Sequence, residues 1–320
     1  MKIEVPKFFN LSHIEDFIAD ISPYLRKTDE PIKGVLLDVS KVKEICLLGQ
    51  LLLYKFISYT ADNKCFLSPK IQGISNPVLR EQLGKSGFWE LIDTYVKRPN
   101  DKKAIIKSYN NLKIVDEADF LIAPQKLLRT DCLNEKKIES MYLSKIQEFY
   151  GNTYRAHTIA FCIAELFSNF WSHATQDSGT VMVAKGNKDF IEICCADTGE
   201  GIISSLRNAN AIYKTLPGSV IMKKALEKNV TSKPNTNHLG MGLYMINCVV
   251  LNGKNNIFKI FSDMEEYYFT SKAKEIFRSI SSIGGWKGTV TYLRLDIKEL
   301  LSLDKIDELR TPSYYKLQWS

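Results

Sequence analysis

Three short runs in the second half of the chain constrain its fold more than any bulk property does. The first, Glu165-Leu-Phe-Ser-Asn169-Phe-Trp-Ser-His173-Ala174, lies in a stretch from Tyr154 to Ala174. Its Ile159, Ile163, Leu166, Phe167 and Phe170 have helical spacing. Glu165, Asn169 and His173 recur every four residues, so they share one face of that helix. A solvated face more often mixes lysine with glutamate. The second run, Asp197-Thr-Gly199-Glu-Gly201, follows directly on Phe190–Ala196, an apolar strand. That strand pairs with Thr180–Ala184 across the turn Lys185-Gly-Asn-Lys-Asp189. Spaced glycines there let the backbone approach a ligand closely. The third, Gly240-Met-Gly242-Leu243, opens an apolar helix containing Ile246, Val249 and Val250. A glycine turn at a helix start presents free backbone N–H groups that suit phosphate oxygens.

In this order the three runs resemble the N, G1 and G2 boxes of the GHKL ATPases, which include gyrase, the histidine kinases and the anti-sigma-factor serine kinases. The resemblance implies a Bergerat fold and one ATP-Mg²⁺ site. It makes Asn169 the Mg²⁺ ligand and Glu165 the candidate general base. It gives Asp197 the hydrogen bond to the adenine amino group. Gly199, Gly201, Gly240, Gly242 and Leu243 form the nucleotide-binding turns. His173 matches a histidine of the anti-sigma-factor kinases; placing Glu165, contacting phosphate and capping the helix end all stay open for it. The residue types fit that chemistry. Mg²⁺ takes hard oxygen ligands and keeps several waters, so one amide oxygen beside phosphate oxygens suffices. A carboxylate one turn earlier can accept the proton of an attacking water or hydroxyl. Between the second and third runs, Thr231–Asn237 is polar and turn-rich, and resembles the ATP lid. Thr231, Ser232 and Lys233 there read either as phosphate contacts or as solvated lid residues. Gly288-Thr289 before a last strand, Val290–Leu295, is also common in the family. Met264–Ile283 is an insertion relative to its compact members.

The first half reads differently. Gly34–Val39 is an apolar run of strand length and Leu47–Thr60 a helix. Cys65–Ser68 reads as a second strand, and Asn76-Pro77 opens a helix that ends near Gly84 or Gly87. Strand, helix, strand, helix suggests an open α/β layer. Leu36-Leu-Asp-Val-Ser-Lys-Val42, Asn76–Leu83 and Ser86-Gly-Phe88 resemble a STAS domain, the fold of anti-sigma-factor antagonists. Those antagonists carry a phosphorylated serine in a turn that here reads Cys46-Leu-Leu-Gly49. No hydroxyl is present, so this half cannot be switched by phosphate at that turn. Leu47 and Leu48 there are either core or a docking surface.

Bulk properties exclude several classes. Forty-three basic and 36 acidic residues give a net charge of +7, with the signs interspersed. That pattern argues against nucleic-acid binding. Lys2, Glu4, Pro6 and Lys7 break any apolar leader, and no 18-residue apolar run reads as a membrane span. Cysteines inside apolar runs (Cys46, Cys162, Cys194, Cys195, Cys248) read as buried thiols of a reducing cytoplasm rather than zinc ligands.

The expected architecture is α/β (α+β). A STAS-like domain covers 1–95, a connector 96–135, a GHKL ATP-binding domain 136–300 and a tail 301–320. The ATP-binding domain should hold a mixed sheet with helices on one face. The expected function is a cytoplasmic ATP-Mg²⁺-binding regulator with a protein partner, resembling a serine kinase or ATPase. A homodimer is compatible with it. A nucleotide-gated interaction module with little catalysis is the alternative. A clamp that dimerises on ATP is disfavoured, because no transducer domain follows the ATPase unit. No Walker P-loop and no protein-kinase catalytic loop is present.

Overall fold

Apolar runs in the first half form short parallel strands backed by helices. The computed structural model describes residues 2–25, 35–62, 70–98, 119–128, 135–173, 179–233, 240–280 and 284–310, with a few positions from 101 to 107. Strands β1 (Lys2–Glu4), β3 (Leu36–Asp38) and β5 (Lys70–Gln72) form a parallel sheet in the order β1-β3-β5. A second parallel pair joins β2 (Phe8–Phe9) to β4 (Glu44–Ile45). Asp38 ties the sheet's end together. Its carboxylate accepts the Ser40 N–H at 2.9 Å and the Ser40 hydroxyl at 2.6 Å, and Lys2 Nζ lies 2.7 Å away. The strand expected at Cys65–Ser68 lies outside the described residues.

Four helices complete this half: α1 (Ile14–Leu25), α2 (Leu47–Asp62), α3 (Pro77–Ser86) and α4 (Phe88–Lys97). Asn76 caps α3 by accepting the Val78 and Leu79 N–H groups at 3.1 and 3.3 Å. Pro77 takes the first helical position, and Gly87, at φ +83°, breaks α3 from α4. Helix α2 is buried on every side from Leu47 to Thr60. A helix apolar all round needs cover all round. Its own half supplies one side, and the second half supplies the other. Leu47 and Leu48, at 5% and 0% exposure, are therefore core.

The second half is built on a seven-stranded sheet in the order β11-β10-β9-β12-β8-β7-β6. Its strands are β6 (Phe120–Leu128), β7 (Gly179–Gly186), β8 (Phe190–Ala196), β9 (Ile257–Asp263), β10 (Glu265–Thr270), β11 (Lys274–Ser279) and β12 (Trp286–Asp296). Every neighbouring pair is antiparallel, so the sheet is not the mixed one expected. The helices are α5 (Glu135–Tyr150), α6 (Tyr154–His173), α7 (Ile202–Ala209), α8 (Gly218–Ala225), α9 (Gly242–Leu251) and α10 (Leu303–Arg310). Two boundaries also differ from expectation. Strand β6, from the expected connector, is an edge strand of this sheet, and the insertion supplies β10 and β11, which widen it.

The helices of the second half lie on one face of the sheet, and the first half covers the other. Met182, Ala184, Ile191, Ile193 and Cys195 pack with Ile159, Ile163 and Phe167 of α6 and with Ile246 and Val249 of α9. On the opposite face Val181, Val183, Cys194, Ala196, Phe261, Val290 and Tyr292 join the core of the first half. There α2 packs on β7 and β8, and α1 packs on β12. A buried charge cluster reinforces the junction. Glu266, fully buried, pairs with Lys259 Nζ at 2.8 Å and Arg278 Nε at 2.7 Å, and Arg278 reaches across to Glu15 of α1. Burial, then the neighbouring Glu266 charge, raises the Glu15 carboxyl above its ordinary value. Among the described residues no helix is long and apolar enough to cross a membrane.

Candidate functional site

The helix starting at Gly242 packs directly on the helix carrying Glu165 and Asn169. The fit leaves no room for a side chain. A Cβ at Gly242 would fall on the Glu165 carboxylate and lie 3.7 Å from Asn169 Nδ2. Asn169 Nδ2 is buried and has no hydrogen-bond partner among the described residues. Buried amide groups are nearly always paired, so this unpaired one marks a place where a polar ligand fits. The Glu165 charge is felt inside the helix as well. Burial first, and then Glu165, push the Cys162 thiol well above its ordinary value.

Helix α9 starts without a side-chain cap, since Met241 precedes it. Its first N–H groups carry the positive end of the helix, and Met241 supplies no side-chain cap to them. Gly240 adopts φ +65°, and a Cβ on it would approach the Val230 carbonyl oxygen to 2.6 Å. The Asn229 N–H donates to Gly240 O at 3.1 Å. The glycine turn is thus held against the stem of the expected lid. The Lys233 N–H donates to Thr231 Oγ1 within that stem, while 234–239 lie outside the described residues. Leu243 packs at the margin of the helix-side core. His173 ends α6, and its side chain lies outside the described residues.

Asp197 belongs to a second cluster. It follows directly on Ala196, the last residue of β8. It is buried at 7% exposure, and the Gly199 N–H donates to its Oδ1 at 2.8 Å. Its own N–H donates to Thr289 O at 2.9 Å, and Trp286 Nε1 donates to its carbonyl at 2.6 Å. Gly201, at φ +82°, turns the chain into α7, and a Cβ there would meet Ser262 Oγ at 2.7 Å. Ser262 Oγ accepts the Ile202 N–H at 2.7 Å and donates to Gly288 O at 3.0 Å. Gly288, at φ +99°, presses so close that a Cβ would lie 2.6 Å from Asp197 Oδ1.

The structure thus brings Gly242 to Glu165 and Asn169, and it gathers Gly199, Gly201 and Gly288 around Asp197. Sequence reasoning named Gly288-Thr289 only as a domain-end marker and missed Ser262 and Trp286. The run Gly284-Gly-Trp-Lys-Gly-Thr289 was the available signal for Trp286; Ser262 sits in an ordinary strand and gave none. The segment between 202 and 233 is basic in sequence, with Arg207, Lys214, Lys223, Lys224, Lys228 and Lys233 against Glu227 alone. No family model, no curated protein and no solved structure matches this chain.

Proposed function

We propose that this protein is an ATP-Mg²⁺-binding regulator of the GHKL type, with a STAS-like first half, that passes a phosphoryl group to a protein partner or to water. The observation that carries the reading is the contact of Gly242 with Glu165 and with the unpaired amide of Asn169. Two runs far apart in sequence meet as a nucleotide site requires. Asn169 fits the site by type, since its amide oxygen can ligate Mg²⁺ while its Nδ2, which has no hydrogen-bond partner among the described residues, can donate to a phosphate oxygen. Bound Mg²⁺ would supply charge neutralisation for the phosphates. The uncapped start of α9 suits phosphate oxygens, and the basic 202–233 segment favours an anionic ligand. At the other end, buried Asp197 can accept a hydrogen bond from an adenine amino group. Glu165 then takes the proton of the attacking hydroxyl as the bond from oxygen to the γ-phosphorus forms, and ADP leaves.

Its own first half is not the acceptor at the turn where antagonists carry serine, because Leu47 and Leu48 fill that turn and are buried. The same fact favours a second reading, a nucleotide-gated interaction module in which ATP shifts a conformational equilibrium. Incubation with γ-labelled ATP and Mg²⁺, with and without cell lysate, separates the readings. Label on a protein identifies a kinase, and released phosphate an ATPase. Retained ATP without transfer identifies the gated module. Glu165→Ala should abolish transfer while leaving ATP binding within about twofold; unchanged transfer would remove Glu165 from the role of base.

A further inference from the structure

Trp286 stands where three parts of the molecule meet. Its ring is fully buried in the core that the first half shares with the sheet. Its indole N–H reaches the other way and donates to the Asp197 carbonyl at 2.6 Å. The residues beside it touch the first half directly. A Cβ at Gly284 would fall on the Ser22 hydroxyl of α1, and Lys287 Nζ lies 5.7 Å from the ring centroid of Tyr59 on α2. One step further along, Gly288 abuts Asp197 and accepts the Ser262 hydroxyl that also holds the Ile202 N–H. The segment 284–289 therefore touches the first half at one end and holds the Asp197 turn at the other.

We propose that Trp286 is a positioning residue through which the docked first half sets the Asp197 turn for its base ligand. The nucleotide site is then complete only while α1 and α2 sit on the sheet, and whatever loosens that docking lowers affinity for the base and not for the phosphates. An indole ring locked in a close-packed core cannot move without its neighbours. The hydrogen bond it makes removes one degree of freedom from the strand end that carries Asp197. The first half thereby acts on the site without touching the ligand. This inference rests on the ATP reading for the identity of the ligand, but the clamp itself can be tested without ATP.

The decisive variant is Trp286→Phe, which keeps an aromatic ring in the core and deletes the donor. Trp89→Phe, on α4, is the control for losing an indole elsewhere. Three measurements are made on the full chain: ATP affinity, tripolyphosphate affinity, and amide hydrogen exchange at 198–202. Trp286→Phe should weaken ATP about tenfold, the effect of one neutral hydrogen bond. It should leave tripolyphosphate unchanged and speed exchange at 198–202. Ser22→Leu, which crowds Gly284 from α1, should give the same base-selective loss. Unchanged ATP affinity with unchanged exchange would overturn the proposal. Equal weakening of ATP and tripolyphosphate would also overturn it, because that is what general destabilisation produces. If Ser22→Leu fails to fold, Trp286→Phe still decides. If the wild-type protein binds no ATP, the ATP reading fails alone, and exchange at 198–202 still decides the clamp.

Discussion

Gly242 lies against a carboxylate, and that contact gives the sharpest test available at the scale of single residues. In Gly242→Ala the new methyl group occupies the space of the Glu165 carboxylate. Glu165 must swing away, and if it is the base proposed above, displacing it by about 1 Å costs on the order of a hundredfold in rate. Phosphoryl transfer should therefore fall about that much, with the melting temperature little changed; steady-state kinetics beside a thermal melt checks both. The stripe of Glu165 and Asn169 was legible because a four-residue period is a local property of a helix. Asp197 was legible because a strand ending in spaced glycines is local too. Ser262 was not legible. Its role comes from the distance between β9 and the Gly201 turn, which only the folded sheet sets. The Asn169 amide was read as a ligand from its type, whereas its lack of a partner could come only from the packing around it.

At the scale of elements, the helices from Leu47, Pro77 and Tyr154 and the strands around 180–184, 190–196 and 257–261 were found where apolar periodicity put them. Helix α1 and strand β5 were not expected, and the partners of these elements were not legible. Helix α2 shows the reason. Its sequence announces burial on every side, yet nothing local says that β7 and β8 provide half the cover. The insertion was likewise visible as extra length, and it folds as two more strands because β9 left an open edge for them. In the small parallel sheet, Asp38 supplies a pH test. Lys2 and the Ser40 hydroxyl and N–H hold its carboxyl well below the ordinary aspartate value of about 3.9. A depressed folded pKa contributes stability that is fully present above the unfolded pKa and is lost as pH falls through the folded pKa. Asp38→Asn should cost about 1 kcal/mol at pH 7, a figure kept small because Lys2 is half exposed. The difference from wild type should be full above about pH 4 and shrink progressively as pH falls below that, as read by urea unfolding at pH 7 and at a series of lower pH values. A difference that stays constant as pH falls would assign the stabilisation to packing instead.

On the scale of the whole molecule the two halves share one core, so they should unfold together. Val183 lies in that shared core and is fully buried. Val183→Asp buries an unpaired charge there and should cost at least about 3 kcal/mol. Calorimetry should show one transition in the wild type and one lowered transition in the variant; a second transition left at the wild-type temperature would show independent halves. The sequence divided the chain into two domains because two motif sets occupy two stretches. It could not reveal that the sheet's second face is covered by the first half, since a strand buried on both faces reads the same whatever covers it. The account's central claim remains that the three runs make one adenine-nucleotide site. Calorimetric titration of ATP with Mg²⁺ into wild-type protein and Asp197→Asn tests it most directly. One saturable site per chain, weakened about tenfold or more by Asp197→Asn, is the predicted result. No saturable binding in the wild type, or equal binding in the variant, would contradict it.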